Sequence, residues 1–335
     1  MSKINILPEH LANKIAAGEV VQRPESVVKE LLENAIDAKS QNISVFIKRA
    51  GKILIQVSDD GEGMSEEDAI LSIHKHATSK INKFEDLEAL HTLGFRGEAL
   101  SSIVAVSQFE LKTERYEDDL GTHIRFDDSQ NIIVEKGSFA KGTSVIVKNL
   151  FFNTPARRNF LRSDSTELKH IVDTFNKIAL SHYNIGFKLF IDDDLSFDYK
   201  GGTLVDRIEK IFADNMLDAL IKVEERTELI SINGYISKPT FLKKSKQDQY
   251  LFLNQRFVLN KQINHAVFNS YDDLLDKGDY PFFVLFLDID PKQVDVNIHP
   301  SKLEVRFDDD RGIYNFVKAV IKKSLSSFDL VPNLS

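Results

Sequence analysis

The stretch PESVVKELLENAIDA, residues 24–38, sets the first element of the fold. Pro24 suits the first turn of a helix, where its missing N–H is no loss, and Val27, Val28, Leu31, Leu32, Ala35 and Ile36 share one face. An advance of about 100° per residue puts Glu30, Asn34 and Asp37 within an arc of about 60° beside that face. A carboxylate and an amide oxygen therefore point the same way, one turn apart. A hard cation such as Mg²⁺ takes oxygen ligands and keeps several waters, so one amide plus phosphate oxygens suffices to hold it. Glu30 is then left to act as a general base. The same positions are also the wet side of any amphipathic helix, and the helix alone does not choose between the two.

Strand-like alternation follows. ISVFIKRAGKILIQVSDDG (43–61) reads as two strands joined at Ala50-Gly51, and GTSVIVKNLFF (142–152) as another. Between them, residues 72–103 form a long polar segment with helical fragments and glycines, of the kind that serves as a lid over a site. A helix over 164–181 precedes a strand pair ending near Tyr199. Gly201-Gly202 is the best boundary, because a new helix, TLVDRIEKIFADN, starts after it. Beyond it, ELISINGYIS, QYLFLNQRFV and FFVLFLDID read as strands and INHAVFNSYDDLL as a helix. Neither half has the regular strand-helix alternation of a parallel sheet, so both are mixed α and β.

The chain has 335 residues, 42% hydrophobic and 10% aromatic, a size that suggests two domains. No apolar run reaches the roughly 20 residues of a membrane helix, and the start lacks a secretory pattern. The chain is expected inside the cell, and in the cytoplasm or nucleoid if its source is bacterial. With no cysteine, disulfides and thiolate chemistry are excluded. A net charge of -8 argues against constitutive tight binding of nucleic acid. Two basic runs, ARRNFLR (156–162) and FLKKSKQ (241–247), are either weak phosphate contacts or solvated surface.

Two further stretches carry chemistry. SDDGEGM (58–64) is ordinary turn chemistry by itself, yet its glycines allow a flat ligand to approach the backbone, and the Asp59 carboxylate can accept a hydrogen bond from an exocyclic amine such as that of adenine. In the polar segment, Thr78, Ser79 and Lys80 precede GFRGEAL (94–100), where two glycines open a helix start. A lysine point charge and main-chain N–H groups are the devices proteins use on polyphosphates. No GxxxxGK[ST] and no GxGxxG occurs, which sets aside the P-loop and dinucleotide folds.

Glu30 and Asn34 in ELLENAIDA, then DDGEGM, GFRGEALSSI and GTSVIV, occur in the order and spacing of the GHKL ATPases. More narrowly, KIAAGEVVQRPESVVKELLENAIDA, HATSKI, LGFRGEALSSI, NLFFNTPARRNFL and VDVNIHPSKLEVRF, within residues 14–307, resemble the N-terminal ATPase region of the MutL family of mismatch-repair proteins. The resemblance implies an α+β (α/β sandwich) fold: a GHKL (Bergerat) domain with a mixed, largely antiparallel sheet over 1–202, then a ribosomal-protein-S5-like domain over 203–331. Residues 1–20 would be an N-terminal arm and 72–103 the ATP lid.

Position by position, the resemblance implies that Glu30 activates the attacking water, that Asn34 ligates Mg²⁺, and that Asp59 reads adenine with help from Gly63 and Thr143. Thr78, Ser79, Lys80, Gly94, Phe95, Arg96, Gly97, Glu98, Ala99 and Leu100 would hold the phosphates of ATP, and Lys302 would reach the γ-phosphate. A monovalent cation near the phosphates is a further expected cofactor. Hydrolysis would be slow, and ATP binding would dimerise two copies through their N-terminal regions. DNA is expected as a weak, salt-sensitive partner, with Arg256 a contact. A mismatch-recognition protein and a downstream nuclease or helicase are the expected protein partners. The chain stops at Ser335, where the family continues through a linker into a C-terminal dimerisation domain, and it is read as a fragment. A topoisomerase-like ATPase subunit and a nucleotide-sensing module without hydrolysis are the other readings.

Overall fold

A computed structural model describes residues 17–78, 97–127, 131–212, 216–243, 248–276, 278–295 and 305–329. Packing divides these into two units. The first takes the described residues up to Gly202 except Leu180–His182, and the second takes that tripeptide and those from Thr203 onward.

In the first unit the chain runs α1 (Pro24–Asp37), β1 (Asn42–Lys48), β2 (Leu54–Asp59), α2 (Glu66–Ser72), α3 (Ala99–Val104), β3 (Gln108–Glu114), β4 (Gly121–Phe126), β5 (Ile132–Gly137), β6 (Gly142–Lys148), α4 (Pro155–Phe160), α5 (Asp164–Ser181), β7 (Gly186–Ile191) and β8 (Asp194–Tyr199). The strands form one eight-stranded sheet in the order β5-β4-β3-β6-β2-β1-β7-β8. Its pairings are antiparallel except β1 with β7, which run parallel. The sheet is therefore mixed and largely antiparallel.

Side-chain alternation fixes which face is covered. Ile43, Val45 and Ile47 of β1, Ile55 and Val57 of β2, and Phe187 and Leu189 of β7 are buried, as are Val27, Val28, Leu31, Leu32 and Ala35 of α1. Of the apolar face read from the sequence, Ile36 alone stays half-buried. Each fully buried aliphatic side chain contributes about 1.5–3 kcal/mol, so a one-residue slip of β1 or β2 is strongly disfavoured. The opposite face is polar and half-buried: Gln56 Nε2 donates to Ser58 Oγ at 3.2 Å and to Ser144 Oγ at 3.1 Å, and Phe46 stacks on Phe190 at 4.6 Å.

The second unit runs α6 (Leu204–Phe212), β9 (Leu220–Arg226), β10 (Ile230–Ser237), β11 (Leu242–Lys243), β12 (Gln249–Leu253), β13 (Arg256–Val258), α7 (Lys261–Ser270), β14 (Tyr280–Pro281), β15 (Phe283–Ile289), β16 (Val294–Asp295), β17 (Arg306–Phe307) and α8 (Asp310–Asp329). Five strands pair in the order β13-β12-β15-β10-β9, with β12 and β15 parallel. Val223, Ile232, Leu285 and Leu287 of the sheet bury against Ala266 and Val267 of α7 and Val317 and Ile321 of α8. QYLFLNQRFV, read as one strand, is a hairpin. Asn254 and Gln255 have φ of 47° and 67°, the left-handed pair that a two-residue turn requires.

Candidate functional site

The last turn of α1 and the ends of β2 and β6 converge on Asp59. Ser40, buried just beyond α1, donates its hydroxyl to Ala35 O at 2.7 Å and lies 3.1 Å from Asp59 Oδ1, while the Gly61 N–H donates to the same oxygen at 2.9 Å. Thr143 sits opposite Asp59 in the β2–β6 ladder, and its hydroxyl is 3.0 Å from that of Thr113, which also accepts the Met64 N–H at 2.9 Å. The sequence-read residues Asp59, Gly61, Gly63 and Thr143 are thus joined by Ser40 and Thr113, which the sequence reading missed. Their only signal is small polar character near strand ends.

Two glycines in this pocket are obligatory for geometric reasons. Gly142 has φ of 101°, and a Cβ there would collide with the Asp59 carbonyl oxygen; Gly63 has φ of 69°, and its Cβ would lie 2.5 Å from Glu114 O. Both clashes are with backbone, which cannot swing away. Gly142→Ala is expected to cost about 2–4 kcal/mol, from left-handed strain plus displacement of β2. Thermal unfolding should show a lower melting temperature, and calorimetry a weakened nucleotide, since the displaced residue is Asp59.

Burial pushes the Asp59 carboxyl up to about 6, against the opposing pull of the Gly61 N–H, the Ser40 hydroxyl and the Thr143 backbone. Oδ1 is taken by the Gly61 N–H and the Ser40 hydroxyl, so a proton falls on Oδ2, the oxygen left for a ligand's amine, and that contact favours the ionised form. The raised value therefore sets a pH window: a ligand that needs the carboxylate competes with a proton below about pH 6. Affinity for adenine nucleotides should be flat above that value and fall by up to about tenfold per pH unit beneath it. Calorimetric titration across pH 5–8 checks this; a flat profile would remove Asp59 from the contact.

On α1, Glu30, Asn34 and Asp37 are half-buried on the flank read from the sequence. The Lys29 ammonium bridges Glu33 at 2.9 Å and Glu30 Oε1 at 3.5 Å. Removal from water lowers the lysine pKa, but Glu33 and then Glu30 outweigh it, and the net value is raised. The polar segment's two described ends meet where the His76 N–H donates to Gly97 O at 3.1 Å and the Ala77 backbone lies against Gly97, just before Glu98, Ala99 and Leu100 at the start of α3; Thr78 follows Ala77 in the chain. His76 Nδ1 lies 3.4 Å from Glu98. Ser79, Lys80, Gly94, Phe95, Arg96 and Lys302 lie outside the described residues, as do residues 1–16 of the N-terminal arm. Arg256 belongs to the second unit, at the start of β13. Among the described residues, no group of three or more His, Cys, Asp or Glu side chains could hold a metal ion; the Asn34 side-chain amide is an oxygen donor of the kind Mg²⁺ takes. No described helix is long and apolar enough to cross a membrane.

Residues 22–141 match the family described as histidine kinase-, DNA gyrase B- and HSP90-like ATPase, and residues 208–326 match the C-terminal domain of DNA mismatch repair protein. The chain is 49% identical over 333 residues to the DNA mismatch repair protein MutL of Flavobacterium psychrophilum, covering 99% of this chain and 54% of the relative. It spans about half the length of the curated relatives it matches. Among solved structures, the N-terminal domain of a DNA repair protein superposes with a TM-score of 0.80 at 24% identity, over 97% of this chain and 100% of the other. The Aquifex aeolicus MutL ATPase domain complexed with ADP gives 0.66 at 24% identity, over 91% and 98%. At that identity the two superpositions speak for the fold, which is the GHKL ATPase fold. Taken with the sequence matches, they place this chain in the MutL family of DNA mismatch repair proteins.

Proposed function

We propose that the first unit binds Mg-ATP at the end of α1 and the adjoining ends of β2 and β6 and hydrolyses it slowly, as the nucleotide-driven switch of DNA mismatch repair. The observation that carries this reading is the Asp59 pocket: a carboxylate kept from water at a strand end, with Thr143 beside it and two backbone-crowding glycines lining the approach. Such a pocket suits a planar base with an exocyclic amine. Adenine donates its amino group to Asp59. Glu30, a few turns back along α1, orients and deprotonates the attacking water, and Asn34 supplies an amide oxygen to Mg²⁺. When bound, the cation would neutralise phosphate charge as it develops. Residues 97–100, at the start of α3, face their N–H groups to phosphate, and Thr78 stands beside them.

The wider cycle is part of the same proposal. ATP would bring two copies together through the N-terminal regions and hydrolysis would release them, with a mismatch-recognition protein upstream and a nuclease or helicase downstream. A monovalent cation near the phosphates and a γ-phosphate role for Lys302 follow from the family resemblance. DNA would bind weakly and with steep salt dependence, Arg256 contributing, because the chain as a whole carries a net charge of -8. Membership of the MutL family weighs against a topoisomerase subunit. A steady-state ATPase assay with and without Mg²⁺ and single-stranded DNA tests the reading. Slow, Mg-dependent turnover is expected; nucleotide binding with no turnover would leave a sensing module instead.

A further inference from the structure

Neighbouring residues on a helix point about 100° apart and do not normally meet. Lys29 and Glu30 do meet, with Nζ 3.5 Å from Oε1. The reason lies one turn further on, where Glu33 takes the same ammonium through both carboxylate oxygens, at 2.9 Å and 3.1 Å. The i,i+4 pair is the ordinary one on a helix surface, and it fixes the lysine stem along the groove between residues 29 and 33. Only the spare hydrogen of the ammonium is left to reach Glu30. Side-chain exposure falls from 39% at Lys29 through 25% at Glu30 to 13% at Glu33, so the anchor of the chain is the most enclosed member. A screened surface pair would do little, whereas a three-membered chain with an enclosed end holds its geometry.

We propose that Lys29 is a positioning residue for catalysis: held by Glu33, its ammonium sets the rotamer of the Glu30 carboxylate that faces the attacking water. This inference rests on the assignment of Glu30 as general base. A carboxylate free to rotate spends much of its time off the line to the water, and a misplacement of about 1 Å at a reacting group lowers rate by up to about 100-fold while substrate binding is untouched. The role assigned to Lys29 is exerted through Glu30. Glu33 acts through Lys29, one step further removed.

The experiment measures kcat, KM and nucleotide affinity for Lys29→Met, Lys29→Arg, Glu33→Gln and, as the control, Glu30→Ala, with the melting temperature of each. Lys29→Met should lower kcat roughly tenfold at unchanged nucleotide affinity. Lys29→Arg, which keeps the charge and the reach, should recover most of it, and Glu33→Gln should fall between. A Lys29→Met protein that turns over as fast as the parent, or faster, overturns the inference. So does a loss shared equally by Lys29→Met and Lys29→Arg. If Lys29→Met fails to fold, Glu33→Gln decides alone, since it leaves the lysine in place and loosens its anchor: unchanged kcat there overturns the inference. The control separates this inference from the reading beneath it. If Glu30→Ala retains turnover, the base assignment falls; if it abolishes turnover while the lysine variants do not change it, only the positioning role falls.

Discussion

Asp59→Asn is expected to abolish detectable nucleotide binding in the low micromolar range while making the empty protein more stable. One oxygen of Asp59, Oδ1, receives both the Gly61 N–H and the Ser40 hydroxyl. Asparagine can place its carbonyl there and lose neither contact. Its amide NH2 then occupies the position of the second oxygen and faces the adenine amine donor to donor. A hydrogen bond to a charged group contributes about 1.5–3 kcal/mol, and the opposed donors add a desolvation cost, so affinity should fall about 100-fold or more. The stability sign follows from the raised pKa. Asp59 in the folded protein holds its proton up to about 6, against 3.8 ordinarily, so ionising it above that value costs folding energy, and the cost disappears as pH falls through 6 toward 3.8. The cost is on the order of 2–3 kcal/mol at neutral pH, and Asn removes it. Differential scanning calorimetry at neutral pH should show a melting temperature raised by several degrees. A variant that binds ATP like the parent would remove Asp59 from the site.

Glu30→Ala should separate binding from turnover. The residue lies half-exposed on α1, away from the Asp59 pocket at the helix end, so its loss leaves the adenine contacts in place. General-base contributions run to about 10²–10⁴-fold, which predicts a kcat reduced by at least about 100-fold with a dissociation constant changed by less than about threefold. Single-turnover measurement with enzyme in excess checks that the loss is in the chemical step. Parallel loss of affinity and rate would instead make Glu30 a binding residue.

The parts of this molecule that were legible in the sequence are those whose physics is local. α1 announces itself because one face is uniformly aliphatic and its start carries a proline, and β1 and β2 because they alternate without interruption. Strands β3 to β5 were passed over. QFELKTE of β3 alternates, burying Phe109, Leu111 and Thr113, but its outward residues are charged and it runs into an acidic turn; β5 has no buried residue at all. α8 was missed because its apolar stripe sits among lysines and serines that mask the period until Val317, Val320 and Ile321 are seen facing the sheet. The site divides in the same way. Glu30, Asn34 and Asp37 could be placed together because one helix carries them. The Asp59 pocket could not be completed, since Thr113 and Gly142 join it through strand pairing across many residues and Ser40 through a side-chain hydrogen bond from the turn after α1. Nothing in the spacing of those residues encodes that register.

In the proposed site one adenine nucleotide sits with its base on Asp59 and its phosphates and Mg²⁺ toward Asn34 and the start of α3. A crystal structure with a non-hydrolysable ATP analogue and Mg²⁺ tests it most directly. The exocyclic amine is expected within hydrogen-bonding distance of the Asp59 carboxylate and the cation on the Asn34 side-chain oxygen. A fully occupied nucleotide bound elsewhere, with no ligand atom on the Asp59 carboxylate, would overturn that placement.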